Sequence, residues 1–305
     1  MKKIFVVMIN YGDEKNTREC LDSFAKVQKK DFFLSTLVVD NLPSKKITLN
    51  EDNYKGINLK LIYNSTNKGF AGGMNIGIKY ALENGADYVL VHNNDTLVKE
   101  DFLQTLFKFM EQKENIGIAS PKIYFAKGYE FHKNRYNDSD LGKVIWYGGG
   151  VMDWKNVIGT HKGVDEIDSG QFEKDEETDF ATGCSMLIRR SVFEKVGFFD
   201  ENYFLYYEDN DLSQRTKKLG YKIYFVPQSI IWHKNAGSTG GSGSGLQDYF
   251  ITRNRLYFGL KYAGLRSKTA LLKESVLLGF KGRESQKQGV KDFFLGKMGK
   301  GSMKL

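Results

Sequence analysis

Four short segments of this 305-residue chain place side chains where they could do chemistry. Asn93-Asn94-Asp95-Thr96 follows an apolar run and closes it with a carboxylate. At a strand end, one such carboxylate can give an oxygen to Mg²⁺ or Mn²⁺, which complete their shells with water and substrate phosphates. Asp95 can equally cap a helix beginning near Val98. Tyr207-Glu208-Asp209-Asn210-Asp211-Leu212 sets three acids ahead of a helix, where they stabilise its dipole. The preceding Phe204-Leu205-Tyr206-Tyr207 is aromatic and draws at least one acid toward a partly dry cleft. There a carboxylate can accept a proton from an attacking hydroxyl. Spacing does not choose among the three. His233 ends an apolar strand, as either a packed side chain or a ligand, whereas His92, His132 and His161 have no comparable context. Residues 67–75, from Asn67 through Lys68 and Gly69 to Asn75, enter a helix through glycines, a setting that favours phosphate. Their spacing matches neither a P-loop nor a dinucleotide fingerprint.

These side chains need a scaffold, and the pattern supplies one. Apolar, β-branched runs at 3–9, 35–39, 59–63 and 88–92 predict strands, and apolar positions at helical spacing predict helices over 16–28 and 72–82. Strands alternating with helices through short connections imply an α/β fold with a parallel sheet covered on both faces. Ligands bind beyond the carboxyl ends of such strands, and Tyr11, Asp40, residues 67–69 and Asp95 fall there. Residues 127–180 read as loop-rich. A strand is expected at 181–189, then a helix at 191–196 capped by Ser191 with Glu194 three residues on. A helix over 209–219 and a strand over 222–226, ended by Pro227, complete the body. The Gly/Ser segment 235–245 reads as a linker or an active-site lid.

Charge divides the chain. Residues 256–305 hold eleven Lys or Arg and three acids, whereas residues 1–255 hold 34 of each sign. A neutral body with a basic end fits contact with an anionic surface and fits nucleic acid poorly, so no nucleic-acid partner is expected. Amphipathic runs are expected at 256–278, with Leu256, Tyr257, Leu260 and Ala263 on one side, and at 292–298. They would lie on an anionic membrane, or pack on the body or on a second copy in a homodimer. No run of about 18 apolar residues is present, so no membrane-spanning helix is expected. The first residues read as a strand, and a signal peptide is not expected. Cys20 and Cys184 make no metal spacing and no disulfide framework, which points to a reducing cytoplasm.

In their order, the segments VVMINYG, VVDN, NKGFAGGMNIG, NNDT, ATGCSMLIRR, FLYYEDNDLSQR, IIWH and YFITRNRLYF resemble family 2 glycosyltransferases of the GT-A fold, in the bacterial rhamnosyltransferase-like branch. The resemblance covers 3–257. It implies a Rossmann-like, mostly parallel central sheet flanked by helices, with a C-terminal helical extension. The catalytic domain would be 1–255, with a nucleotide-sugar half over about 1–125 and an acceptor half over about 126–255, followed by the basic tail. It implies an inverting transferase using Mn²⁺ or Mg²⁺, with Asp95 matching the last acid of the family's DxD signature and His233 a further metal contact. Asn93 stands where many members have Asp. Asn10, Tyr11, Asp40, Asn67, Lys68, Gly69, Asn75 and Asn94 would bind the nucleotide-sugar, and Arg253 would steady the leaving diphosphate. Asp209 matches the catalytic base, with Glu208 the next candidate. The implied donor is dTDP-rhamnose, with UDP-hexoses or UDP-galactofuranose second. The implied acceptor is a lipid-linked or cell-surface glycan at the inner face of the cell membrane. A sugar nucleotidyltransferase would need a basic Gly-rich loop near the N-terminus, where this chain has VVMINYGDEK. A non-catalytic glycan-binding protein leaves the acids at strand ends unexplained.

Overall fold

The structure is a computed structural model that describes residues 1–235 and 243–304. The N-terminal half forms the expected alternation: β1 (Lys2–Asn10), α1 (Glu14–Phe24), β2 (Phe32–Asp40), β3 (Leu59–Tyr63), α2 (Gly69–Glu83) and β4 (Tyr88–Asn93). β1 pairs in parallel with β2 and β4, and β2 with β3. Their carboxyl ends therefore align at one edge.

The remaining strands enlarge this sheet and mix its directions. They include β5 (Thr96–Val98), β6 (Ile116–Phe125), β7 (Ile145–Tyr147) and, forming a separate hairpin, β8 (Gly150–Asp153) with β9 (Ile158–His161). The main sheet then gains β10 (Glu176–Glu177), β11 (Ser185–Arg189) and β12 (Lys222–His233), giving ten strands among the described residues with a main order of β10-β12-β6-β11-β4-β1-β2-β3. β11 runs antiparallel between β4 and β6. Its amino end thus lies beside the carboxyl end of β4, with Ser185 opposite His92.

Apolar side chains fill both faces. On one, Leu21 and Phe24 of α1 pack with Phe102 and Leu106 of α3 (Phe102–Met110). On the other, Met74 and Ile78 of α2 meet Val192 and Phe193 of α4 (Arg190–Val196) and Leu212 of α5 (Glu208–Lys218). The C-terminal helices are α6 (Gly245–Tyr262), α7 (Leu265–Lys281) and α8 (Glu284–Phe294).

Several local expectations change. β12 continues past Pro227 because a register shift between Val226 and Ile230 absorbs the residue that cannot donate to the ladder. Ser191 does not cap α4: Arg189 holds that position, and the Ser191 hydroxyl accepts from Tyr221 Oη at 2.8 Å. The proposed 255/256 boundary falls inside α6. Leu256 and Ala263 are buried against Val157, Tyr203 and Tyr207 of the body, so that apolar side faces protein. The 292–298 run is helical only to Phe294, and Gly296 lies in the left-handed region with φ +66°. Of the 235–245 segment, residues 236–242 lie outside the described residues.

Candidate active site

Asp95 and His233, 138 positions apart, meet at 3.1 Å between Oδ1 and Nε2. β5 brings them together, because its antiparallel pairing sets Thr96 opposite His233. His92 fixes the intervening turn: its Nδ1 lies 3.0 Å from Ser185 Oγ and its Nε2 2.6 Å from Thr96 Oγ1. Burial lowers the His92 pKa to about 3, so this imidazole stays neutral. Lys234 then ties the end of β12 to α1 through Asn16 and Glu19.

Among the described residues, no three His, Cys, Asp or Glu side chains converge as in a closed metal cage. The Asp95–His233 pair still fits a divalent ion whose remaining positions go to diphosphate oxygens and water. His233 Nδ1 is buried with no hydrogen-bond partner, so protein groups alone do not complete this ring's bonding. Cys20 and Cys184 are free and buried nearby. Burial pushes the Cys20 thiol up to about 12, which suits packing better than ligation.

The structure tells the three clustered acids apart. Asp211 has no side-chain exposure and meets Arg215, Lys261 and Tyr262, each at 2.7 Å. Burial works to raise its pKa, but these partners outweigh burial and hold the carboxyl below the ordinary range. It is a structural anchor for α6. Glu208 is buried, its Oε2 has no partner, and burial followed by the charge of Asp209 pushes its pKa well up. Asp209 accepts from the Gly183 amide at 2.9 Å and from the Asn210 backbone and side-chain amides at 2.7 and 2.9 Å. Burial nevertheless leaves its carboxyl above the ordinary range. Gly183 stands two residues before β11, and Cys184 O accepts from Asn93 N at 2.8 Å. The carboxylate of Asp209 is thereby tied to the edge that carries Asp95.

A strained loop delivers these acids. Phe204, Tyr206 and Tyr207 have φ of +64°, +69° and +72°, a region costing non-glycine residues about 1–3 kcal/mol each. Clamps on two sides hold it there. Phe70 and Ala71 amides of α2 donate to Phe204 O at 2.7 and 3.3 Å. Asn254 Nδ2 reaches the carbonyls of Tyr203, Leu205 and Tyr206 at 2.7–2.9 Å.

Two expectations change here. The α2 N-terminus, expected to favour phosphate, uses two of its first amides on a carbonyl of this chain. Arg253 is fully buried, and its guanidinium donates to the carbonyls of Asn202 and Tyr203, at 3.2 and 3.0 Å, and to Lys297 O. It braces the loop from behind. Asn254, its neighbour, escaped sequence reasoning because an asparagine inside a helix carries no local signal.

The other predicted polar residues form two networks. Asp40, Asn10, Thr17 and Asn94 link in series: Asn10 Nδ2 donates to Asp40 at 2.9 Å, Thr17 Oγ1 to Asn10 Oδ1 at 3.0 Å, and Asn94 Nδ2 to Thr17 at 2.8 Å. Ile47 N takes the second Asp40 oxygen. Tyr11 is exposed at the same strand end. The second network centres on Asn41, which was not singled out from the sequence. Its amide donates to Asn67 Oδ1 and Gly69 O and accepts from Asn64 and the Lys68 amide, at 2.9–3.1 Å. Asn75 lies apart from both. It is buried and holds Phe199 and Glu201, so it positions the loop before the acids.

Aromatic rings pack around His233 and His161. Trp146 packs edge-on against both His233 and His161, with centroids 4.5 Å apart in each case. His161 also meets Tyr147 and Phe180. Its Nδ1 donates to Trp146 O at 3.0 Å, and burial lowers its pKa to about 4. His161 carries no local sequence signal because these neighbours come from two distant segments, 146–147 and 180.

Residues 5–197 match the family model described as glycosyl transferase family 2. The chain is 24% identical over 253 residues to the low-salt glycan biosynthesis hexosyltransferase Agl10 of Haloferax volcanii, covering 82% of this chain and 73% of that protein. It is 25% identical over 228 residues to rhamnosyltransferase WbbL of Escherichia coli K12, covering 73% of this chain and 80% of that protein. Among solved structures, GalNAc-T7 with UDP, GalNAc and Mn²⁺ superposes with a TM-score of 0.58 at 15% identity, over 89% of this chain. This chain spans about half of that one, 54%.

Proposed function

The chain belongs to glycosyl transferase family 2 and has the GT-A fold, and on that premise we propose a specific reaction for it. It is an inverting, metal-dependent transferase that moves rhamnose from dTDP-rhamnose to a lipid-linked or cell-surface polysaccharide. The observation that carries this reading is the Asp209–Gly183 bond, which ties a raised-pKa carboxylate to the edge holding Asp95 and His233.

Asp209 takes the proton of the acceptor hydroxyl as that oxygen attacks the anomeric carbon and the bond to diphosphate breaks. Glu208 lies beside the base, and burial, followed by the charge of Asp209, raises its pKa and so disfavours a second charge there. Mn²⁺ or Mg²⁺ held by Asp95 and His233 would neutralise charge on the leaving diphosphate. An imidazole in the donor set leans toward Mn²⁺, the softer of the two. Asn10, Tyr11, Asp40 and Asn94 shape the base and ribose pocket, and Asn67, Lys68 and Gly69 form its rim. Asn75 and Arg253 act as positioning residues. Residues 1–125 serve the donor, 126–255 the acceptor, and 256–305 the contact with the inner membrane face.

Resemblance to rhamnosyltransferase WbbL supports the donor sugar, and resemblance to the hexosyltransferase Agl10 keeps UDP-hexoses as the second reading. Thermal unfolding with dTDP, UDP and GDP, each with and without Mn²⁺, tests both. A ligand present at about 100 times its Kd stabilises the fold by about 2.7 kcal/mol. We expect a Mn²⁺-dependent shift with dTDP that Asp95→Ala abolishes. A UDP preference would replace the donor, and a metal-independent shift would remove the metal role. No shift with any nucleotide or intact nucleotide-sugar would overturn the transferase reading.

A further inference from the structure

The outer face of α7 joins an apolar stripe to a row of cations. Leu265, Leu272, Val276 and Phe280 recur at spacings that put them on one side of a helix, and they are 83%, 39%, 58% and 80% exposed. Leu277, 54% exposed, widens the stripe. By the same helical geometry, Lys268 borders it on one side and Arg266, Lys273 and Lys281 on the other.

This face is held in place. On the opposite side Leu271 and Ser275 are buried, with Leu271 against Gly259 of α6. Glu274 pairs with Arg255 at 2.7 and 3.0 Å, and Ser267 Oγ donates to Trp154 O at 2.7 Å. The one acid of α7 is thus consumed inward, while its four cations make no ion pair among the described residues. The helix is not long and apolar enough to cross a membrane.

We propose that this stripe seats α7 in the surface of an anionic lipid bilayer, parallel to the membrane plane. Apolar side chains enter the headgroup boundary while the flanking cations meet lipid phosphates. A second copy is the poorer occupant, because a twofold contact through the stripe sets one cationic border against another. The proposal deepens the membrane contact assigned above to 256–305 and moves it. The sequence pointed to Leu256, Tyr257, Leu260 and Ala263, but Leu256 and Ala263 face the body, and the exposed stripe begins at Leu265.

Vesicle sedimentation of the full chain tests it, using phosphatidylcholine alone and an equal mixture with phosphatidylglycerol. Wild type should sediment with the mixed vesicles, far less with phosphatidylcholine, and be released by salt. Lys268→Glu with Lys273→Glu should lose binding by about fivefold or more for each charge altered. Val276→Ser with Phe280→Ser, both on exposed positions, should lose binding without loss of thermal stability. Equal sedimentation of wild type with both vesicle types, or vesicle binding unchanged in either double variant, overturns the proposal. So does a wild-type dimer in sedimentation velocity that the serine pair converts to monomer while vesicle binding persists. The nucleotide-dependent thermal shift of the same variants separates this result from the transferase reading, since neither pair touches the candidate site.

Discussion

Asp209→Asn removes a charge and keeps an oxygen that can accept from the Gly183 amide, so the 2.9 Å bond joining α5 to the start of β11 can survive. The amide cannot take a proton from the acceptor hydroxyl. A positioned general base contributes about 10²–10⁴ in rate, which is roughly 3–5 kcal/mol of barrier at 1.36 kcal/mol per decade. Turnover should fall by that factor. Stability should move the opposite way. Burial raises the carboxyl's pKa on folding, so above the unfolded value the folded state holds the ionised form at a disadvantage. At neutral pH the asparagine variant has no charge to bury and should be at least as stable as wild type. Asp211→Asn is the control from the same helical turn. It leaves Lys261 and Arg215 without their buried partner, a loss of about 3–5 kcal/mol, or on the order of 10 °C in Tm for a chain of this size. Single-turnover transfer and calorimetric unfolding on the same preparations read both effects. Near wild-type turnover in Asp209→Asn refutes its role as base. A loss of stability matching that of Asp211→Asn would make Asp209 another structural anchor.

The pH profile offers a second check. The base must be ionised, and its pKa is raised, so kcat should fall on acidification through a midpoint above the ordinary aspartate value of 3.8. A midpoint at or below 3.8 would contradict the assignment. Gly69→Ala tests the clamp on the strained loop. Gly69 has φ +67°, and an added Cβ would stand 2.4 Å from Phe204 O, a backbone atom that cannot swing aside. The variant should lose about 1–3 kcal/mol in denaturant unfolding and bind nucleotide more weakly, whereas an unchanged midpoint would show that the loop is not held through this contact.

Much of the fold was legible because its signals are local. The alternation through the first hundred residues, the polar strand ends and the grouping of acids at 208–211 follow from side-chain period and composition. Asp95 and His233 could each be picked out, but neither spacing nor type could join them. That took the pairing of β5 with β12, which depends on the strand order of the whole sheet. The same limit explains why the three acids looked alike in the sequence. They became an anchor, a buried carboxyl with an unpartnered oxygen and a candidate base only through Lys261, the burial of Glu208 and the Gly183 amide. Arg253 shows it in the other direction. The family resemblance assigned it to a diphosphate, yet tertiary packing closed it behind a loop with unusual backbone angles and set it against peptide carbonyls.

The tail divides the same way. Its charge and amphipathic character are legible residue by residue, since both are sums over residues. Which apolar side meets protein and which meets solvent depended on where α6 and α7 dock. Chemical type is written residue by residue, whereas a partner 50 or 138 positions away exists only once the sheet and its helices have closed.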